Sequence, residues 1–199
     1  MFIQTEDTPN PETLKFIPGN IILKTGTADF SSKDVASDSP LALRLFEIDG
    51  VSRVFLATDF ISVTKDPQLD WNNLKPSILT GIMEHYSTGL PAINETEDKN
   101  SESNNIEDSE TIKQIKDLLE TRVRPAVAMD GGDITFCSFE KGVVTLQMKG
   151  ACAGCPSSTA TLKMGIENML RHYIPEVTEV RAAESVSYTH LTLPTTVSV

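Results

Sequence analysis

Basic residues are scarce in this chain, 17 Lys and Arg against 28 Asp and Glu, for a formal net charge of −11. Such a surface repels phosphate backbones, and no basic stripe follows a helical segment, so nucleic acid is excluded as the main partner. Long apolar runs are missing too: nothing approaches the roughly 18 uncharged residues of a membrane span. The opening Met1-Phe2-Ile3-Gln4-Thr5-Glu6-Asp7 has acids where a signal or transit peptide carries Lys or Arg, and no apolar core follows it. The expectation is a protein that stays where it is made, in a bacterial cytoplasm. Cysteine is nearly absent, with only Cys137, Cys152 and Cys155. An odd count with one close pair indicates a site plus a spare rather than a disulfide framework, and it fits a reducing compartment. With 39% hydrophobic residues the chain still has enough apolar matter for a packed core.

The segment from Asn94 to Glu110 carries seven acids against one lysine and has no periodicity. It reads as a self-repelling, solvated spacer between two domains. The expected division is 1–90 as an N-terminal domain, 91–108 as an acidic linker and 109–184 as a C-terminal domain. In the first domain, Lys15-Phe16-Ile17 and Ile21-Ile22-Leu23 around Pro18-Gly19-Asn20 suggest a hairpin. Ser39-Pro40 opens a helix that Asp49-Gly50 closes. VSRVFLA and FISVTK around Thr58-Asp59 form a second hairpin. Leu74, Ile78, Ile82 and Tyr86 mark a helix with Pro76 in its first turn, because a mid-helix proline costs about 3 kcal/mol.

In the second domain the expected order is a helix (109–123), a loop, strands at 133–139 and 143–148, the cysteine loop, a helix at about 157–172 and a strand at 177–182. The fold class is therefore α+β: two small mixed domains, the C-terminal one ordered α-β-β-α-β. The final stretch, 185–199, carries no charge, and Ser187 to Thr196 resembles the translation of a sequencing adapter. It is set aside as a non-native tail.

The chemistry lies in Cys152-Ala153-Gly154-Cys155. A CxxC pair can chelate one metal centre or form one small disulfide. Glycine and alanine on either side make the loop thin and should leave the sulfurs uncovered. Pro156 and Ser157-Ser158-Thr159 are helix-start residues, and the free N–H groups and positive dipole end of that helix point toward the thiolates, so both cysteines should deprotonate easily. Two thiolates cannot close a four-iron cluster or a tetrahedral structural zinc. Either a redox dithiol works alone, or two chains bring two such loops together at a two-fold axis.

The motif Arg124-Pro125-Ala126-Val127 through Asp130-Gly131-Gly132-Asp133-Ile134, followed by Gly150-Ala151-Cys152-Ala153-Gly154-Cys155-Pro156-Ser157-Ser158, resembles the C-terminal NifU-type domain. The opening Phe2-Ile3-Gln4-Thr5-Glu6-Asp7-Thr8-Pro9-Asn10-Pro11 with Leu14-Lys15-Phe16 resembles the N-terminal domain of Nfu proteins. The resemblance spans almost everything up to about Ala183. It implies an iron–sulfur cluster carrier, not an enzyme, whose Cys152 and Cys155 hold a 4Fe-4S cluster, or alternatively 2Fe-2S, within a homodimer. It further implies transfer to apo iron–sulfur proteins, an upstream scaffold or carrier as donor, partner recognition by the N-terminal domain, and the mitochondrial matrix as the alternative compartment.

Simpler roles are assigned elsewhere. Asp130-Gly131-Gly132-Asp133 is read as a tight turn whose glycines let it approach the cysteine loop, not as a catalytic carboxylate pair. Cys137 is read as a small buried hydrophobe, and His85 and His172 as surface residues near helix ends. The rivals to the carrier are a thioredoxin-like oxidoreductase and a dimer stapled by a structural four-cysteine zinc. The first requires a βαβ setting that the order helix, strand, strand, helix, strand does not suggest.

Overall fold

The computed structural model describes residues 2–94, 109–153 and 156–183, of which 156–158 as backbone only. Nearly all of the acidic linker, the uncharged tail and Cys155 lie outside the described residues.

The N-terminal half is a five-stranded antiparallel sheet. Its strands β1 (Gln4–Asp7), β2 (Thr13–Ile17), β3 (Ala28–Phe30), β4 (Val51–Leu56) and β5 (Ile61–Lys65) lie in the order β1-β2-β5-β4-β3. Helices α1 (Pro40–Phe46) and α2 (Trp71–Thr88) bury Leu41, Leu45, Leu74, Ile78 and Ile82 with Leu14, Phe16, Val54, Leu56, Ile61 and Val63 of the sheet. Ser39 caps α1 by accepting from Ala42 N at 3.1 Å, as its sequence signal requires. The hairpin of β4 and β5 forms as read from the sequence.

Two expectations fail here. Ile21-Ile22-Leu23 is not a strand, because both edges of β2 are already taken by β1 and β5; Ile22 instead donates its N–H to Thr58 O at 2.8 Å. Pro76 lies in the second turn of α2, since Asp70 caps the helix earlier than expected by accepting from Asn72 N at 2.7 Å.

In the C-terminal half, α3 (Glu110–Leu118) continues through a π-turn at 119–123 into α4 (Arg124–Met129), where a loop was expected. Pro125 follows directly on the π-turn, where Arg124 N already bonds to Leu119 O instead of the i−4 carbonyl, so its missing N–H falls at a break in the regular ladder. Strands β6 (Gly132–Glu140) and β7 (Val143–Gly150) form a hairpin through Lys141 and Gly142, both at positive φ, as a tight two-residue turn needs. Helix α5 (Pro156–Tyr173) returns the chain to β8 (Glu179–Ala182), which pairs with β7 in parallel. Ile115, Leu119, Val123, Val127, Ile166 and Leu170 cover one face of this sheet. The overall class is the expected α+β with the order helix, β6, β7, α5, β8.

Cys137 is exposed rather than buried. Ile134 and Phe136 take the core side of β6, so alternation turns Thr135 and Cys137 outward, and the register slip between Phe136 and Ser138 leaves Cys137 without a cross-strand partner. His85 is buried rather than on the surface, and burial followed by the charge of Arg44 pushes its imidazole below the ordinary value. His172 is exposed, as expected.

Candidate functional site

The cysteine loop starts where β7 ends. Gly150 sits at φ +62°, a conformation that favours glycine, and passes the chain to Ala151, whose N–H donates to Gly131 O at 3.1 Å. Ala153 N–H turns back to Gly150 O at 3.0 Å, and Thr159 of α5 donates its hydroxyl to Cys152 O at 3.0 Å. The loop is thus tied to the β6 turn on one side and to the first turns of α5 on the other.

The structure reverses the expectation of an uncovered, easily ionised Cys152. The residue is only 6% exposed and packs in the same core as Ile134, Val144 and Leu170. Burial pushes its thiol up to about 12, with the charges of Asp130 and Asp133 acting in the same direction. A helix terminus contributes about 0.3–1 kcal/mol at exposed sites, which is too little to offset removal of a thiolate from water. What covers the sulfur is the glycine turn: a Cβ on Gly132 would stand 2.5 Å from Cys152 Sγ. The expectation that the turn closes on the cysteine loop therefore holds at Gly132.

Asp133 anchors that turn. Its carboxylate is buried and accepts from Arg124 Nε at 2.8 Å, Arg124 Nη2 at 3.0 Å, its neighbour Ile134 N at 2.8 Å and Thr27 Oγ1 at 2.8 Å. Arg124 also donates from Nη1 to Glu120 at 2.6 Å, and these partners hold its guanidinium well above the usual arginine value. Asp133 is therefore a fully bonded structural carboxylate. Arg124 and Asp133 both stand in the motif noted in the sequence. Thr27, Asp29 and Ser62, which reach this site from the N-terminal half, carry no sequence signal at all.

Cys155 lies outside the described residues, so the structure places one member of the CxxC pair. Among the described residues no group of three His, Cys, Asp or Glu side chains is arranged to hold a metal ion. Connectivity does not separate a carrier from a redox dithiol: β7, α5 and the parallel β8 make a βαβ unit with the motif at its first turn, contrary to expectation.

Residues 3–89 match the family described as "Scaffold protein Nfu/NifU N terminal", and residues 115–181 match "NifU-like domain". The human protein "NFU1 iron-sulfur cluster scaffold homolog, mitochondrial" is 53% identical over 178 residues, covering 89% of this chain and 70% of that protein. "NifU-like protein 4, mitochondrial" of Arabidopsis thaliana is 51% identical over 181 residues, covering 89% and 64%. The chain spans about two thirds of the length of these relatives. Among solved structures, a NifU-like protein of Saccharomyces cerevisiae superposes with a TM-score of 0.44 at 24% identity, over 48% of this chain and 86% of that one.

Proposed function

Since the chain belongs to the Nfu/NifU scaffold family, we propose that it works in iron–sulfur cluster assembly as a carrier. It receives a cluster from an upstream scaffold or carrier and passes it to apo-proteins. The observation that carries this reading is the CxxC motif placed within a chain that matches the family over both halves. The cargo is a 4Fe-4S cluster, with 2Fe-2S as the alternative, and its ligands are Cys152 and Cys155 of two chains. One chain offers two thiolates where a four-iron cluster takes four, so a homodimer completes the set.

Transfer is a ligand exchange. An incoming cysteine of the recipient displaces Cys152 or Cys155 stepwise, with no turnover of an organic substrate. The names of the relatives support a mitochondrial setting over a bacterial cytoplasm. The N-terminal domain is assigned residues 1–90, the linker 91–108 and the cluster domain 109–184, with 185–199 as non-native sequence. Sequencing the locus from intact genomic DNA tests the tail: a continuous reading frame that encodes it overturns that assignment.

Anaerobic reconstitution with iron and sulfide tests the carrier. About two irons and two sulfides per chain in a dimer, with broad visible absorbance that disappears in Cys152→Ser and in Cys155→Ser, is the expected result. A monomer without iron whose two cysteines cycle as a disulfide would be a redox protein instead.

A further inference from the structure

The N-terminal sheet has a second face. Strand register sets Lys15, Ser62, Phe55 and Asp29 in one row across β2, β5, β4 and β3. Alternation directs all four away from the helices that cover Leu14, Val54 and Val63. Each member of the row meets the C-terminal half, and does so at the two backbone segments that flank Cys152. Lys15 Nζ donates to Met129 O at 3.3 Å and Ser62 Oγ to Gly131 O at 2.6 Å. The Asp29 carboxylate accepts from Gly150 N–H, and Phe55 lies against the same glycine, where a Cβ would stand 2.9 Å from its ring. Beside the row, Thr27 donates to Asp133 and Asn10 reaches Ala151 O at 3.5 Å.

The fit is closest at the two glycines. A Cβ on Gly131 would come within 2.9 Å of Ser62 Oγ and 3.1 Å of Thr8 Cγ2, so no side chain larger than hydrogen leaves the seam closed. Gly131 and Gly150 are also joined through Ala151, whose N–H bonds to Gly131 O. Cys152 follows directly and lies under Gly132. Both walls of its burial are therefore pinned from the other half of the chain.

We propose that this row is a clamp: by holding Gly131 and Gly150 it keeps Cys152 turned into the core, and parting of the two halves is the step that frees its thiol. Thr27, Asp29 and Ser62 are positioning residues that act through the backbone around Cys152. The consequence for cluster loading rests on the carrier reading above; the clamp itself does not.

The test uses the full chain with Cys137→Ser and Cys155→Ser, which leaves Cys152 as the sole thiol. Its alkylation by iodoacetamide under native conditions is compared with and without Ser62→Ala and Thr27→Val, with circular dichroism confirming the fold. Loss of two seam hydrogen bonds is expected to speed the reaction about tenfold or more, because a buried thiol reacts through the open state. An equal rate in the folded variant overturns the proposal. If the double variant does not fold, hydrogen exchange in the parent chain decides. A Gly150 amide that opens with the same equilibrium constant as Cys152 supports the clamp, and one that opens far less often than Cys152 overturns it. In the three-cysteine chain the double variant should take up iron and sulfide faster, to the same final content. A chain that shows the alkylation effect yet binds no iron keeps the clamp and sinks only the carrier reading.

Discussion

Gly132 stands so close to Cys152 that a Cβ on it would lie 2.5 Å from Sγ and 2.8 Å from Lys149 O. Gly132→Ala therefore has to push the cysteine or the β7 backbone aside. Overpacking of this kind costs about 1–3 kcal/mol. Urea denaturation is expected to show that loss, and an unchanged midpoint would mean that the turn does not press on Cys152.

Arg124 and Asp133 set the height of the same turn. The carboxylate is buried while the guanidinium is about a third exposed, at 34%. Arg124→Met removes two of the bonds to Asp133 and leaves its charge underpaired. Breaking a fully buried pair costs about 3–5 kcal/mol; with one partner reaching solvent, about 2 kcal/mol is expected. Asp133→Asn, which keeps the shape and removes the charge, should recover part of that loss when combined with Arg124→Met. A double variant no more stable than Arg124→Met alone would place the cost in lost packing of the arginine stem.

The proton on Cys152 gives a pH signature. The folded thiol, pushed up to about 12, keeps its proton where the unfolded thiol, near 9.0, has lost it. The folded state then binds more protons across that window, so stability falls as pH rises from about 9 toward about 12. Cys152→Ser removes this group and leaves the lysines and tyrosines that titrate nearby. The wild-type chain is expected to lose more unfolding free energy than Cys152→Ser between about pH 8.5 and about pH 11. Parallel losses in the two chains would show that the thiol titrates alike in both states.

Cys137, unpaired on the bulge of β6, is the accessible thiol among the described residues. Mass spectrometry after brief alkylation of the folded apo-chain should find it modified ahead of Cys152. Cys137→Ser should leave stability within about 0.5 kcal/mol, as for an ordinary surface substitution. Loss of iron loading in Cys137→Ser would give this residue a role in the site.

How much of this could be read in the sequence follows from what each feature depends on. Ser39 with Pro40, the β4–β5 hairpin and the β6–β7 hairpin rest on local caps, turns and periodicity, and they form where the sequence puts them. Ile21-Ile22-Leu23 misled because strand pairing depends on which edges of β2 are free, a non-local fact. Cys137 misled because a strand that is apolar on both sides does not show which side is covered: Ile134 and Phe136 take the core face, and Cys137 falls with Thr135 on the other. The CxxC loop was found by spacing, yet the burial of Cys152 was not, since it depends on Gly132 and, through Gly131 and Gly150, on Ser62 and Asp29 from the other half. Ser62 sits in an apolar run, and nothing local distinguishes it from a serine with no partner.

Removal of the cargo separates the carrier from a zinc-stapled dimer. Each half of the chain has its own apolar core: Phe16, Leu45 and Ile78 are fully buried in one, Ile115, Leu146 and Leu170 in the other. A structural zinc supplies folding energy outright, and a domain that depends on it unfolds when the metal is stripped. Chelation of the loaded protein is therefore expected to bleach its visible absorbance while the far-ultraviolet circular dichroism and cooperative thermal unfolding persist. The transition should move down only by the linkage due to lost cargo, and it should become independent of iron concentration. Unfolding on chelation, in a colourless protein that holds zinc, would assign Cys152 and Cys155 to a staple and end the carrier reading.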